Sequence, residues 1–157
     1  MDFEQFFARG SLKLILLGIV VAVVGMILSG AGFVYSSSPA FCGSCHSMDQ
    51  VYHTWQTSNH KQFTCSDCHV PHDSIVSMMY VKGANGMRDV YHEFLQDYPD
   101  TLYFTPKGKV IADENCLRCH SSTVENTNMA AGGQSCIKCH RGIVHGQNRS
   151  PGGVKVE

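Results

Sequence analysis

Every cysteine of this 157-residue chain belongs to a repeated unit, Cys-x-x-Cys-His. The four copies are Cys42, Cys45 and His46; Cys65, Cys68 and His69; Cys116, Cys119 and His120; and Cys136, Cys139 and His140. Zinc sites or a disulfide framework would also use cysteines in pairs, but neither explains a histidine after each second cysteine. In c-type haem attachment, two thiols bond the porphyrin and that histidine reaches the iron. The chain is therefore predicted to carry four covalently bound haem c groups.

Haem groups would supply most of the core of such a protein. Beyond residue 40 the sequence is rich in glycine, serine, asparagine, histidine and charged residues, and it has few long apolar runs. We therefore predict an all-α or irregular fold, in which one N-terminal transmembrane helix precedes a small domain of short helices and loops around four haems. The formal net charge of −1 provides no basic surface, so nucleic-acid binding is excluded as a function.

The N-terminal region contains the longest apolar run. Residues 14–35 carry no charged side chain, and a helix of this length, about 33 Å, crosses the roughly 30 Å of hydrocarbon in a bilayer. This predicts a cytoplasmic N-terminus at 1–13, a transmembrane helix at 14–35 and the haem domain at 36–157. A secretory signal cleaved after Ala40 is the alternative, but the apolar part of a signal usually covers only about 7–15 residues.

Basic residues predict the orientation of this helix. Arg9 and Lys13 precede it, whereas residues 36–48 after it contain no lysine or arginine. Because positive flanks remain on the cytoplasmic side, the N-terminus is expected inside and the haem domain in the periplasm. The predicted location is the inner membrane of a bacterium, crossed once.

The haem motifs form two groups separated by a segment that has no motif. We predict dihaem modules at 41–72 and 113–146, and an insert at 73–112. The spacings between successive motifs differ, which excludes a solenoid of regular repeats. From Gly142 onward the tail is predicted to be loop or disorder.

Two helices can be predicted outside the membrane segment. Ser47 and Gln50 have capping-box spacing, which predicts a short helix after the first motif. In the insert, an amphipathic helix is predicted to end near Pro99, since the residue before proline disfavours helix. Its apolar positions recur at helical spacing and are Met87, Val90, Tyr91, Phe94 and Leu95.

Four six-coordinate haems need eight axial ligands, of which the motifs supply four histidines. The remaining histidines are His53, His60, His72, His92 and His145. His60 and His145 are the better distal candidates because they border motifs in polar segments, although a surface position stays open for each. In the first motif, Met48 either ligates instead of His46 or packs on the porphyrin edge.

The order of these features resembles the NapC/NirT family of membrane tetrahaem quinol dehydrogenases. The resemblance rests on the apolar N-terminal helix, the Cys-x-x-Cys-His-x-Met element, and the segments 58–60 and 65–72 around the second motif. In the insert it rests on Lys82, Gly86, Asp89 and His92. It covers nearly the whole chain, from Leu14 to His145.

This resemblance implies a menaquinol site beside the first haem. It implies that Met48 ligates this haem, that Asp89 lies close to its open side and that Lys82 helps to hold the quinol oxygen. It also implies that His60 and His145 ligate haems of the second module, and that a lysine of a periplasmic catalytic partner completes another haem. For short members with this first motif, the implied partner is a cytochrome c nitrite reductase, which reduces nitrite to ammonium.

The chemistry of the residues is compatible with that role. Quinol oxidation releases two electrons and two protons, so it needs a base beside the first electron acceptor. Asp89 in a partly buried pocket would have a raised pKa suited to this role, and Lys82 could stabilise developing negative charge. His92, one turn further, either relays the proton or bonds a propionate. A solvated Lys82–Asp89 pair is the alternative.

Other functions stay open from the residues alone. A cleaved signal would give a soluble periplasmic electron shuttle. An open haem position would allow a terminal reductase that acts on nitrite itself, although no cluster of arginine and histidine surrounds any motif. A structural zinc protein is the remaining alternative.

Overall fold

The computed structural model describes residues 3–140, 142–146 and 154–155. The chain divides after Ser36 into two compact units, Met1–Ser36 and Ser37–Glu157. The first unit is a helix, α1, at Phe3–Tyr35. Its apolar part, Gly10–Tyr35, is long enough to cross a membrane, and none of it is buried within the protein.

The second unit is mostly helical, which confirms the predicted fold class. In the described part of the chain its α-helices are α2 (Pro39–Cys42), α3 (Asp49–Gln56), α4 (Cys65–His69), α5 (Ile75–Leu95), α6 (Pro106–Val124) and α7 (Cys136–Cys139). Two 3-10 helices are His46–Met48 and Asn128–Ala131, and two short strands are β1 (Leu102–Tyr103) and β2 (Val154–Lys155). Helix α3 confirms the helix predicted after the first motif. Helices α5 and α6 are longer than the short helices expected.

The ends of α5 follow from local chemistry. The Ser74 hydroxyl accepts a hydrogen bond from the Ser77 N–H at 3.1 Å and caps the start of the helix. The helix ends at Leu95, before the expected stop near Pro99, because Gln96 adopts the left-handed conformation with φ 54°. This conformation is a common helix terminator, although glycine is the usual residue there. The predicted amphipathic helix is therefore present and begins further upstream than its apolar pattern.

Helix α6 carries the third haem motif. Thr105 caps its start by accepting a hydrogen bond from the Gly108 N–H at 3.0 Å, and Pro106 occupies the first turn, where proline is tolerated. These are recognisable start signals. The apolar pattern after them is weak, however, and the helix was not predicted.

The tail differs from the prediction of loop or disorder at one place. Strand β2 pairs in parallel with β1, with Leu102 opposite Val154 and Tyr103 opposite Lys155. The rest of the tail beyond Gly146 lies outside the described residues. The prediction for the tail is therefore wrong at residues 154–155.

Few side chains in the described part of the second unit are buried. The buried residues include Val70, Val81, Ile111, Ala112 and Asn115. Asn115 of α6 donates two hydrogen bonds, to the carbonyl oxygens of Cys68 at 3.0 Å and Val70 at 2.9 Å. Arg118 adds a bond to the Asp67 carbonyl at 3.0 Å. Backbone-directed hydrogen bonds therefore join α4 and α6, which belong to different haem modules.

Candidate haem ligands and quinol site

The second and third motifs lie on helices that bring their reactive side chains together. Residues three and four positions apart share a helix face, so two cysteines and the next histidine point to one side. In α4 this applies to Cys65, Cys68 and His69. The third motif, at Cys116–His120, lies within α6 in the same arrangement. The eight cysteines all lie in the described part of the chain, and none is joined to another by a disulfide bond there.

The first motif is less regular and requires glycine between its cysteines. Helix α2 ends at Cys42, and the 3-10 helix His46–Met48 begins after Cys45. A Cβ atom on Gly43 would lie 2.5 Å from Cγ of Tyr52, whose ring packs on this turn. Tyr52 in turn stacks on Trp55, with ring centroids 5.7 Å apart. The Tyr52 ring of helix α3 therefore leaves no room for a side chain at position 43, and glycine fits there.

Contacts between cysteines place the motifs in sequence order. The thiols of Cys42 and Cys65 are hydrogen-bonded, which joins the first motif to the second. Cys68 and Cys119 are close enough to act on each other's charge, which joins the second to the third.

The fourth motif is joined to the third by a thiol contact between Cys116 and Cys136. It is also held by Asp113 of α6, which accepts a hydrogen bond from the Cys136 N–H at 2.8 Å. The four motifs therefore form one continuous row.

Two pairs of histidines have the separation that an intervening iron requires. The ring centroids of His60 and His120 are 6.2 Å apart, and those of His69 and His145 are 6.1 Å apart. A metal–nitrogen distance near 2.0 Å on both sides of an ion, plus the ring radii, gives about 6 Å. These pairs fit the axial ligands of two haems.

Hydrogen bonding also suits His145 for a ligand. Its Nδ1 lies 3.2 Å from the carbonyl oxygen of Val51, so Nδ1 carries the proton and donates. This leaves Nε2 with a lone pair for a metal, the usual arrangement of a ligating histidine. The Nδ1 atom of His60, by contrast, is buried without a hydrogen-bond partner. Such an atom is costly unless another group completes the site.

The observed pairing differs from the expectation for His145. The resemblance placed both His60 and His145 on haems of the second module. His60 does face His120 of that module, but His145 faces His69 of the first. Among the described residues, no second histidine ring pairs with His46 or His140.

Helix α5 brings three charged residues to the first motif. Lys82 and Asp89 lie two turns apart and therefore on one face, and both act on the charge of the Cys42 sulfur. Glu93, one turn further, accepts hydrogen bonds from the His46 N–H at 2.7 Å and the Ser47 hydroxyl at 2.6 Å. The candidate quinol residues and the first haem motif therefore meet.

At this face the pKa of Asp89 is raised and the pKa of Lys82 is lowered, as expected for groups that exchange protons with a substrate. Partial removal of water raises the pKa of the Asp89 carboxyl, against the opposing charges of Arg88 and His92. Asp89 as a whole is exposed. The shift in its pKa therefore comes from protein atoms that keep water away from one side of the carboxyl. Desolvation also lowers the pKa of Lys82, whose amine donates a hydrogen bond to the Ser37 hydroxyl.

Three further histidines, His53, His72 and His92, contact residues outside the Lys82–Asp89 face. His92 Nδ1 lies 2.7 Å from Asp97 Oδ1, so its ring is held at the end of α5. His53 Nε2 lies 3.5 Å from Asp49 Oδ1, and both side chains are exposed. His72 Nε2 lies 3.4 Å from the Ser66 carbonyl. Among the described residues, no three histidine, cysteine, aspartate or glutamate side chains gather as they would around a zinc ion.

Sequence reasoning missed the structural role of Glu93. Its signal was present, since positions 82, 89 and 93 share one face of a helix. The Gly43–Tyr52 contact and the bond from His145 to Val51 had no such signal, because they join distant segments.

Comparison with known proteins identifies the family. The profile of the NapC/NirT cytochrome c family, N-terminal region, matches residues 7–150. The chain belongs to this family, and it is accordingly a cytochrome with covalently bound haem c. The apolar helix α1 is the membrane anchor of a single-pass protein.

Two relatives and one solved structure are particularly similar. The chain is 36% identical to "Cytochrome c nitrite reductase subunit NrfH" of Nitratidesulfovibrio vulgaris, over 76% of each protein. It is 29% identical to "Cytochrome c-type protein NrfH" of Wolinella succinogenes, over 78% of this chain and 70% of that protein. Its fold is similar to a chain in the crystal structure of the cytochrome c nitrite reductase NrfHA complex bound to the HQNO inhibitor. The TM-score is 0.74 at 31% identity, covering 87% of this chain and 92% of that one.

Proposed function

We propose that this protein is a membrane-anchored tetrahaem cytochrome c that oxidises menaquinol and passes the electrons to a periplasmic cytochrome c nitrite reductase. The observation that carries the proposal is that Lys82 and Asp89 share one face of α5 and both lie within electrostatic range of Cys42 in the first haem motif. In this arrangement the proposed proton acceptor, Asp89, lies near Cys42, where the first haem would be attached. The similarity to NrfH proteins and to the NrfHA complex supports the choice of reductase.

The proposed cofactors are four haem c groups, one for each Cys-x-x-Cys-His motif. Haem supplies one-electron redox chemistry. The attachment residues are the cysteine pairs of the four motifs, and the proposed iron ligands are Met48, His60, His69, His120, His140 and His145. The scarcity of buried side chains in the described residues fits a domain whose core is largely prosthetic group.

The row of motifs supports a direction for the chain of cofactors. Cys42 contacts Cys65, Cys68 adjoins Cys119, and Cys116 contacts Cys136. The Lys82–Asp89 face lies at the first motif, so the substrate end is the start of this row. The fourth motif is the end that faces the reductase.

Lys82 and Asp89 have different roles in the proposed quinol oxidation. Asp89 accepts a proton from the substrate hydroxyl, and desolvation raises its pKa, which makes the carboxylate a stronger base than an ordinary exposed aspartate. Lys82 donates a hydrogen bond to a quinol oxygen and stabilises negative charge that develops on it. The amine already donates to Ser37, which places it as a donor at this face.

The reductase partner is proposed to complete the coordination of the haem at the fourth motif. Because no histidine ring of the described residues pairs with His140, a lysine from the partner is proposed as the second axial ligand there. The haem domain is proposed to lie in the periplasm, with the N-terminus inside, on the evidence of Arg9 and Lys13.

Co-purification tests this function. The tagged chain, extracted from membranes in mild detergent, should bring with it a cytochrome c nitrite reductase. The purified complex should reduce nitrite with a menaquinol analogue as donor, and HQNO should inhibit it. A chain released by carbonate washing would instead be a soluble shuttle. Nitrite reduction by the isolated chain would indicate a terminal reductase.

A further inference from the structure

Glu93 is a second acidic residue on the quinol-site helix, but its contacts differ from those of Asp89. Its carboxylate accepts hydrogen bonds from the His46 N–H at 2.7 Å, the Ser47 N–H at 3.4 Å and the Ser47 hydroxyl at 2.6 Å. All three donors belong to the first haem motif. They reach across 46 to 47 positions of sequence.

These bonds cap the start of the 3-10 helix that ends at Met48. The first N–H groups of a helix have no partner within it and need an outside acceptor. Cys45, at the capping position, makes no side-chain hydrogen bond to them. Glu93 therefore provides the cap from another helix, in the place of a local serine or aspartate.

The same helix carries Lys82 and Asp89, so the cap connects two parts of one site. Lys82 lies three turns before Glu93 and Asp89 one turn before it, on a shared face. Met48 follows the capped residues directly. The position of Met48 relative to Asp89 thus depends on how Glu93 holds the motif.

We propose that Glu93 is a positioning residue, which holds the first haem's motif and Met48 in register with the quinol-site helix. This inference rests on the proposed function only in giving Met48 and Asp89 their roles. Its physical basis is the reach of the side chain. A negative charge on a shorter side chain at position 93 is not expected to keep the three hydrogen bonds to the first motif.

Two substitutions separate reach from charge. Glu93→Gln keeps the length, offers an oxygen to the His46 N–H, and can donate from its amide to the Ser47 hydroxyl, so that it loses only the long bond from the Ser47 N–H. Glu93→Asp keeps the charge but is shorter by one methylene. Glu93→Ala removes both properties, and Glu114→Gln, on the exposed surface of α6, is the matched control.

The experiment uses the full-length haem-loaded protein in detergent and has two readouts. Hydrogen–deuterium exchange of residues 44–50 reports on the cap, and a redox titration followed by visible spectroscopy reports on the first haem. We expect Glu93→Asp and Glu93→Ala to exchange about tenfold faster than wild type in this segment, because the side chain no longer reaches the N–H groups that it caps. Both should shift the midpoint potential of one haem, while Glu93→Gln and Glu114→Gln remain close to wild type.

The opposite pattern overturns the inference. If Glu93→Gln shifts the potential as much as Glu93→Ala while Glu93→Asp is normal, the residue acts through charge. Unchanged exchange in all variants excludes a positioning role altogether. If Glu93→Ala does not accumulate with its haems, the difference in exchange and potential between Glu93→Gln and Glu93→Asp still tests the positioning role. A wild-type protein that menaquinol does not reduce would refute the proposed function but leave these readouts valid.

Discussion

Replacing Asp89 with asparagine removes the proposed proton acceptor while conserving the size of the side chain. The other groups at this face are already engaged, since Glu93 accepts three hydrogen bonds from the first motif and His92 is bonded to Asp97. Neither Glu93 nor His92 is therefore free to replace the carboxylate. General-base catalysis typically contributes about 10²–10⁴-fold to a rate, so we expect Asp89→Asn to slow quinol oxidation by roughly 100-fold or more.

The dependence on pH adds a second signature to this variant. Because desolvation raises the pKa of Asp89, its basic form is lost as the pH falls through a value above the usual range for aspartate. The wild-type rate should decline on that acidic side, and the rate of Asp89→Asn should not follow the same decline.

The assay is anaerobic stopped-flow reduction of the haems by a menaquinol analogue in detergent. Asp49→Asn, which alters an exposed carboxylate on α3, is the matched control and should behave as wild type. The haem content of each variant is measured by its absorption spectrum. An Asp89→Asn protein with full haem content and an unchanged rate would refute the assignment of Asp89 as the base.

Three further substitutions test the geometry. Gly43→Ala should lower the yield of haem-loaded protein because its Cβ meets the Tyr52 ring, and adding Tyr52→Ala should restore part of that yield; equal yields from the single and double variants would contradict the contact. His145→Ala should leave one haem five-coordinate, detected as a high-spin signal in electron paramagnetic resonance, whereas His53→Ala should not. Asn115→Ala should lower the free energy of unfolding by about 1–3 kcal/mol, measured by denaturant titration, because the buried Val70 carbonyl and the partly buried Cys68 carbonyl lose their donor. An unchanged free energy of unfolding would mean that this link between α4 and α6 is unimportant.

The sequence could predict what depends on local spacing. Haem attachment followed from four identical motifs, and the apolar run predicted helix α1. The part of α5 around Met87 and Phe94 followed from apolar periodicity. The Lys82–Asp89 pair could be placed on one helix face because their separation is two helical turns.

The remainder depends on contacts between distant segments. The pairing of His145 with His69 joins residues from the two modules, and no local pattern encodes it. The end of α5 at Gln96 depends on a left-handed conformation that glycine, not glutamine, usually signals. Strand β2 gains its partner from β1, about 50 residues earlier, so two residues of the tail could not be assigned from the sequence around them.

We propose above that this protein takes electrons from menaquinol at its first haem. The most direct measurement is haem reduction in sealed liposomes that contain the purified chain and menaquinol but no reductase. We expect menaquinol to reduce the haems, HQNO to prevent this reduction, and Asp89→Asn to slow it. Haems that stay oxidised with menaquinol in the bilayer, yet are reduced readily by dithionite, would show that menaquinol is not the electron donor of this protein.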